Sequence, residues 1–351
     1  MQTINKKTLA ATYYSRQTIM KELGIEGQEK LAKAKVAIVG LGGLGTASAL
    51  YLALSGVGHL KLIDQDTVEP QNLHRQILYT PKDLHYPKAE IAAKRLRKLN
   101  PFIKAEPIPE SLNPNNAEKL LTNTDCIVDG LDNMQTRYII NQTATKLHIP
   151  YIFGAAIGME GNISVFTPPN TPCLECVLPN LSDNNLLKCD TRGVLSPTPG
   201  IIGTIQAMET IKTITGIGAT LKGKLMICDF NDMTFTTIDI KKRPNCPTCQ
   251  QTPTQQKQNA KLIWLCGANT ANINPEKPLN LNLTKIYQTI KQHYTTHKKT
   301  QTAIIFKHNN TEITLFNNGR ILIKNTPNEQ TALNTYKEIQ QKLNLNPQQT
   351  T

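Results

Sequence analysis

Gly40-Leu-Gly42-Gly43-Leu-Gly45 has the spacing G-x-G-x-x-G. It follows an apolar run and opens a stretch of small residues. In that strand–turn–helix setting, glycines let backbone amides approach phosphate, and a helix N-terminus faces the negative charge. Asp64 lies 19 residues beyond Gly45, at the end of the next apolar segment, where a carboxylate can hold ribose hydroxyls. Alone, this pattern reads as an NAD or FAD site, or as a glycine turn used only for packing. The residues that follow argue against hydride transfer. Asp64-x-Asp66-x-Val68 leads to Asn72-Leu-His-Arg75-Gln76, and Lys88 follows. A hydride-transfer site breaks no phosphate bond and needs no ring of Arg, Lys and Asn about the phosphates. Displacement of pyrophosphate does, because charge builds on the leaving phosphates and fixed cations must meet it. Asp132, in Asp129-Gly-Leu-Asp132-Asn133, falls just past another strand, at the rim where open α/β sheets bind ligands. Its carboxylate suits Mg2+. The alternative readings are a helix N-cap for Asp132 and surface cations for Arg75 and Lys88.

Cys173-Leu-Glu-Cys176 and Cys246-Pro-Thr-Cys249 are two C-x-x-C pairs. Four thiolates suit a closed, structural Zn2+ site. The pairs are 70 residues apart, further than in compact zinc ribbons. A thioredoxin-like redox pair is the alternative, but neither pair follows a βαβ pattern in the required way. Cys189 lies between Lys188 and Arg192 in the polar loop from Ser182 to Pro197. Nearby cations favour a thiolate there, and a spare loop thiol is the alternative. Cys126 and Cys228 sit in apolar strands and read as inert core residues. Cys266 reads as structural.

These residues need elements to position them. Lys35–Gly40, His59–Asp64, Asp125–Asp129 and Pro150–Gly154 read as strands, and Gly43–Ser55, Pro87–Leu99 and Asn133–Leu147 as helices. Strand alternating with helix implies a parallel sheet with right-handed crossovers. Asn162–Thr167 and Lys224–Ile240 read as strands and hairpins, Thr171–Pro197 as a long loop and Gly200–Thr215 as an apolar helix. The Gln/Thr/Pro-rich stretch 251–260 marks a linker. Beyond it, Lys261–Leu265, Ala303–Phe306, Glu312–Phe316 and Arg320–Lys324 read as strands, and Leu281–Tyr294 and Glu329–Leu343 as helices. Asn317-Asn-Gly is a hairpin signal. The expected fold is α/β: a Rossmann-like, mostly parallel sheet with helices on both faces, a zinc-bound loop and hairpins, then a small C-terminal α+β domain. The expected domains are 1–250 and 261–351, joined by 251–260.

The chain has 351 residues, 39% hydrophobic and 19% charged, enough apolar material for ordinary cores. No stretch approaches 18 consecutive apolar residues, and no apolar signal segment opens the chain, so no membrane is expected and the cytoplasm is the default. Of the net charge of +13, residues 251–351 supply +8, with 12 Lys+Arg against 4 Asp+Glu. That balance would attract an acidic protein, nucleotide phosphates or nucleic acid. It also describes an ordinary solvated surface. With no RNP-type aromatic motif and no zinc-finger spacing, nucleic acid is not the expected partner. His293, His297 and His308 fall among polar residues and need no metal.

The sequence resembles the MoeB/ThiF/HesA-type adenylyltransferases, relatives of the ubiquitin-activating enzymes. The matching features are Tyr14-Ser-Arg16-Gln17, Gly40–Gly45, Asp64-Gln-Asp66-Thr-Val68 and Asn72-Leu-His-Arg75-Gln76. They continue through Pro87-Lys88, Asp129-Gly-Leu-Asp132-Asn133, Gly154–Gly161, both C-x-x-C pairs, and Cys189 ahead of Gly193-Val. The match covers about residues 10–250 in the correct order. It implies an enzyme that uses Mg·ATP to adenylate the C-terminal carboxylate of a small ubiquitin-like sulfur carrier ending in Gly-Gly. Such chemistry serves molybdopterin, thiamine, tRNA thiolation or protein modification, with a sulfurtransferase as a further partner. By this resemblance Asp64 holds the ribose, with Asp66 beside it in the same motif, and Gly42 and Gly43 lie against the phosphates between Gly40 and Gly45. Arg75 and Lys88 face the phosphates beside Asn72 and Gln76, and Asp132 carries Mg2+. Arg16 reaches the nucleotide of a neighbouring subunit in a homodimer. Cys189 matches a cysteine that is reactive in some relatives through a thioester or acyl-disulfide step. Gly154–Gly161 would give the carrier tail a smooth floor. The competing readings are an ATP-dependent enzyme acting on tRNA or a small carboxylate, such as a threonylcarbamoyl-adenosine dehydratase, and a non-enzymatic scaffold subunit.

Overall fold

The computed structural model describes residues 6–183, 192–251, 262–265, 269–275, 278–294, 297–309 and 311–345. The chain divides into two compact units, Met1–Gln256 and Lys257–Thr351.

Three helices open the first unit: α1 (Lys6–Tyr13), α2 (Ser15–Thr18) and α3 (Gly24–Lys33). The alternation then begins with β1 (Lys35–Val39), α4 (Gly43–Leu54), β2 (His59–Ile63), α5 (Lys88–Leu99) and β3 (Lys104–Ile108). It continues with α6 (Ala117–Leu121), β4 (Cys126–Asp129), α7 (Met134–Leu147) and the hairpin β5 (Tyr151–Ile157) and β6 (Glu160–Phe166). A short helix α8 (Leu174–Val177), a long helix α9 (Pro197–Thr215) and the hairpin β7 (Lys224–Asp229) and β8 (Thr234–Asp239) complete it.

The eight strands form one sheet in the order β3-β2-β1-β4-β5-β6-β7-β8. The first five are parallel. The last three are antiparallel. Both faces are covered, and β1 shows why. Val36 and Ile38 point into a core with Leu31, Leu52, Ala92 and Leu96 from α3, α4 and α5. Ala37 and Val39, on the other face, join Leu121, Ile140, Tyr151 and Phe153. A strand buried on both sides must be apolar throughout, which is why this one is continuous rather than alternating. Each such side chain contributes about 1.5–3 kcal/mol on burial.

Strand order reverses between β1 and β4, so the loops at their carboxyl ends splay apart and leave a crevice. No helix among the described residues is long and apolar enough to cross a membrane.

The second unit is an antiparallel sheet of β9 (Leu262–Leu265), β10 (Thr270–Ile273), β11 (His297–Lys299), β12 (Ala303–His308), β13 (Thr311–Phe316) and β14 (Ile321–Lys324). Its order is β11-β12-β13-β14-β10-β9. Ile304, Phe306, Ile313 and Ile323 bury against Ile290 of α10 (Leu283–His293) and Tyr336 and Ile339 of α11 (Glu329–Lys342). The Asn317-Asn-Gly turn joins β13 to β14, with Gly319 at φ +84°. His308 is buried, with its ring nitrogen 2.9 Å from Glu338 and 3.3 Å from the Asn309 amide.

Candidate nucleotide and metal sites

Three glycines close the crevice floor. Gly40 leaves β1 at φ +88°, a left-handed conformation that glycine adopts without penalty. A Cβ on Gly45 would sit 1.9 Å from the Gly40 carbonyl oxygen, and one on Gly130, after β4, would sit 2.3 Å from the same atom. Backbone packs on backbone here, and α4 begins directly above with Gly42 as its N-cap.

Asp64 reaches the turn from the end of β2. Its Oδ2 accepts the Leu41 N–H at 2.6 Å and its Oδ1 accepts the Asp66 N–H at 2.7 Å. Burial pushes its carboxyl up to about 6, although Lys88 and these two N–H groups pull the other way. Tyr79 donates its hydroxyl to Leu41 O at 3.0 Å, so Leu41 is held at both ends. Lys88 is buried, with Nζ 3.2 Å from Asp66 Oδ2. Burial opposes its charge, but Asp66 and Asp64 outweigh that and hold its pKa above the ordinary lysine value. Lys88 is thus no surface cation.

Arg75 is half-buried. Its stem lies against Gly43, where a Cβ would be 3.6 Å from Arg75 Cγ, and its Nη2 donates to Asn72 Oδ1 at 3.1 Å. Gln76 is buried with its amide nitrogen toward Gly42, 3.8 Å from where a Cβ would lie. Its Oε1 has no hydrogen-bond partner among the described residues. A glycine turn with its amides at the start of α4, and an orphaned buried amide oxygen beside it, fit a polar ligand. The 3-10 turn Pro70–Asn72 and the loop after it bring Asn72, Arg75 and Gln76 to this side.

Asp132 is exposed at the carboxyl end of β4. It is not the helix cap. Asn133 is, its side chain accepting the Thr136 N–H at 2.9 Å. Asp183 satisfies the next orphan donors, accepting Met134 N–H at 2.6 Å and Gln135 N–H at 3.2 Å. Arg16, in α2, is exposed and makes no hydrogen bond or ion pair among the described residues. Cys189 and Cys266 lie outside the described residues. Arg192, near Cys189 in sequence, pairs with Glu160 at 2.5 Å.

The hairpin β5–β6 is not an open floor at Gly154 and Gly161. A Cβ on Gly154 would meet Gln206 Nε2 at 2.4 Å, and one on Gly161 would meet Ile202 Cδ1 at 2.2 Å. Those glycines admit helix α9 against the sheet.

Sequence reading missed a buried group beneath the rim: Asp129, Arg137, Tyr151 and Gln206. Burial pushes the Asp129 carboxyl up, and Arg137 and Tyr151 oppose it. The sequence signal was Asn133, Arg137 and Asn141, spaced four apart along α7 and so on one face.

The four cysteines of the C-x-x-C pairs converge, all sulfurs within 4.8 Å of one another. Cys173 Sγ lies 3.8 Å from Cys176 Sγ and 3.6 Å from Cys246 Sγ, and Cys176 Sγ lies 3.5 Å from Cys249 Sγ. Tetrahedral metal–sulfur bonds of ~2.3 Å give sulfur–sulfur edges of roughly 3.8 Å, so the set fits one ion. Asn141 is buried with Oδ1 accepting the Leu174 N–H at 2.8 Å, and its Nδ2 faces the Cys173 sulfur. That amide lies where it can lower the Cys173 thiol pKa, while burial pushes it up more strongly. Burial also opposes the Cys176 thiolate, but hydrogen bonds from the Arg243 and Cys173 backbone outweigh it. Cys126 and Cys228 are buried elsewhere, their thiols pushed up by burial to about 12 and about 11, and so are inert.

The mostly parallel sheet, the glycine cradle at its switch point and the cations beside it define a nucleotide-binding α/β protein. The chain belongs to the ThiF family, whose model matches residues 14–248. It is 39% identical over 250 residues to the sulfur carrier protein adenylyltransferase of Thermus thermophilus, covering 70% of this chain and 92% of that one. It is 40% identical over 237 residues to the SAMP-activating enzyme E1 of Haloferax volcanii, covering 67% and 87%. The crystal structure of E. coli MccB with ATP superposes at a TM-score of 0.61, covering 68% of this chain and 74% of that one, and at 24% identity shows the shared fold.

Proposed function

We propose that this protein is an ATP-dependent adenylyltransferase acting on the C-terminal glycine carboxylate of a small ubiquitin-like sulfur carrier ending in Gly-Gly. A carboxylate oxygen attacks the α-phosphorus of ATP, the bond from that phosphorus to the bridging oxygen breaks, and pyrophosphate leaves as the acyl-adenylate forms. The attacking group is already ionised and needs no base, so positioning and charge neutralisation carry the rate.

The carrying observation is the packing of Arg75 and Gln76 against Gly43 and Gly42. It sets a cation and an amide beside the turn that suits phosphate. Asp64 holds the ribose, and Asn72 and Asp66 orient Arg75 and Lys88. Asp132 holds Mg2+, which supplies positive charge to the leaving phosphates. Cys173, Cys176, Cys246 and Cys249 hold a structural Zn2+. Arg16, exposed on α2, serves the nucleotide of a second copy in a homodimer, and Cys189 is a candidate for covalent sulfur transfer with a sulfurtransferase. Residues 1–250 carry this chemistry. We place the enzyme in the cytoplasm, where thiols stay reduced and free to hold a metal.

ATP–pyrophosphate exchange, measured with each small Gly-Gly-ending protein of the host, tests the reading. Exchange with one carrier supports it and names the partner. Exchange that appears only with added tRNA favours the dehydratase-like alternative, and a protein that ignores ATP for a nicotinamide overturns both.

A further inference from the structure

The loop Gly130-Leu131-Asp132 carries its exposed carboxylate on a buried, charged foundation. Asp129, the last residue of β4, is fully buried. Its Oδ1 accepts the Leu131 N–H at 2.9 Å. Its Oδ2 accepts the Tyr151 hydroxyl at 2.6 Å and Arg137 Nε at 3.1 Å. Arg137 Nη2 then donates to Leu131 O at 2.7 Å and to Gly154 O at 2.8 Å. The guanidinium stacks 5.2 Å from the Phe153 ring centroid. Gln206 Nε2 donates to the Asp129 carbonyl at 2.8 Å. Both polar backbone atoms of Leu131 are therefore held, one by Asp129 and one by Arg137. On the other side of Asp132, Asn133 is fixed as the helix cap. Asp132 stands between two immobilised residues.

We propose that Arg137 is a positioning residue for adenylation: its fork ties the loop Gly130–Asp132 to β5 and so sets where the Asp132 carboxylate meets Mg2+. A buried ion pair is weak evidence for stability, since apolar residues of similar volume often replace such pairs without loss. What an apolar pair cannot do is bind the Leu131 carbonyl. Arg137 does this with the same nitrogen that grips β5, and a lysine, with a point charge and no planar fork, reproduces it poorly. Arg137 sits one turn into α7 behind Asp132, so it acts through the loop.

The proposal rests on the assignment of Mg2+ to Asp132, and the experiment separates the two. ATP–pyrophosphate exchange is measured against Mg2+ concentration for wild type, Asp132→Asn, Arg137→Lys and Tyr151→Phe, with the melting temperature of each. Arg137→Lys is expected to stay folded and to raise the Mg2+ needed for half-maximal exchange about tenfold, the lower end of what losing a direct partner of a metal ligand costs because Arg137 acts through the loop, with much of the maximal rate recovered at saturating Mg2+. A merely structural Arg137 would lower the melting temperature and leave the Mg2+ requirement of the folded protein unchanged. That result overturns the proposal when Asp132→Asn does shift the requirement. If Asp132→Asn leaves the requirement unchanged, the Mg2+ assignment fails, and the proposal with it. Should Arg137→Lys fail to fold, Tyr151→Phe decides. It removes one bond from Asp129 Oδ2 and is expected to shift the requirement in the same direction by less than Arg137→Lys does; an unshifted value sinks the positioning role.

Discussion

The carboxylate of Asp64 accepts the Leu41 N–H at 2.6 Å, which joins the end of β2 to the glycine turn after β1. Its pKa is raised from 3.8 to about 6 by burial, which Lys88 opposes and Asp66 reinforces. The native chain thus holds this proton more tightly than the unfolded chain does. Asp64 contributes stability that is fully present below its ordinary value and lost as pH rises through about 6. The ribose-holding role proposed for Asp64 needs the opposite, an ionised acceptor. The half-saturating ATP concentration is therefore expected to fall as pH rises through about 6, and Asp64→Asn to abolish that dependence relative to wild type. The variant should also weaken ATP by about 1.5–3 kcal/mol, the worth of a hydrogen bond to a charged group. Parallel pH profiles for the two proteins would sink the assignment.

Gly45→Ala should be among the costliest single-methyl additions in this chain. The added Cβ would lie 1.9 Å from Gly40 O, an atom of the backbone rather than a mobile side-chain tip. Either the turn opens or α4 lifts. Overpacking of this kind costs about 1–3 kcal/mol or more. Urea unfolding should show that loss, and nucleotide binding should fall with it. Gly200→Ala is the contrasting control, because nothing lies within 4 Å of its Cβ position. Equal stabilities for the two variants would contradict the packing described.

Much of the fold and site was legible in the residues themselves, and the failures have physical causes. Lys35–Val39 and Cys126–Asp129 declare themselves because strands buried on both faces are apolar throughout. Strand β3, Lys104-Ala-Glu-Pro-Ile108, escaped detection because it is an edge strand, where Lys, Glu and Pro107 are tolerated. Strand β11 is likewise a three-residue edge carrying two lysines. The cap of α7 is Asn133 rather than Asp132, a one-residue difference fixed only by backbone geometry. The group of Asp129, Arg137, Tyr151 and Gln206 was invisible because its members lie up to 77 residues apart and meet only when β4, β5, α7 and α9 assemble. Gly154 and Gly161 suggested a floor, but a glycine records only that something approaches, and here it is α9.

Arg75→Ala should separate activity from folding. Its side chain donates to Gln71 O at 3.0 Å and Asn72 Oδ1 at 3.1 Å, both within four residues of it. Losing such local bonds at a half-buried position should leave stability within about 0.5–1 kcal/mol of wild type by urea unfolding. Removing a fixed cation from developing phosphate charge costs far more, roughly 10²–10³-fold in turnover. A variant that exchanges pyrophosphate at close to the wild-type rate would remove Arg75 from the reaction.

Metal removal should loosen the first unit through α7 and the β8 end of the sheet. Cys173 caps α8 and Cys176 lies within it, while Cys246 and Cys249 follow β8, so one ion would close a chain segment of more than 70 residues. Thr248 reinforces the same junction, donating to Glu175 at 2.5 Å. An ion bound only by the native state adds about 4 kcal/mol when its free concentration is 1,000-fold above Kd. In a unit of about 250 residues each kcal/mol moves the melting temperature by roughly 2–4 °C, so chelation should lower it by about 8–16 °C and added zinc should restore it. One zinc per chain is expected by metal analysis, and Cys249→Ser should abolish it. Asn141→Ala tests the neighbouring amide. Its buried Nδ2 faces the Cys173 sulfur, and a hydrogen bond from it favours the thiolate a metal requires. Zinc affinity in that variant, measured by chelator competition, should fall about 10–100-fold. A chelated protein that melts where the untreated one does would mean that the four sulfurs converge for packing alone.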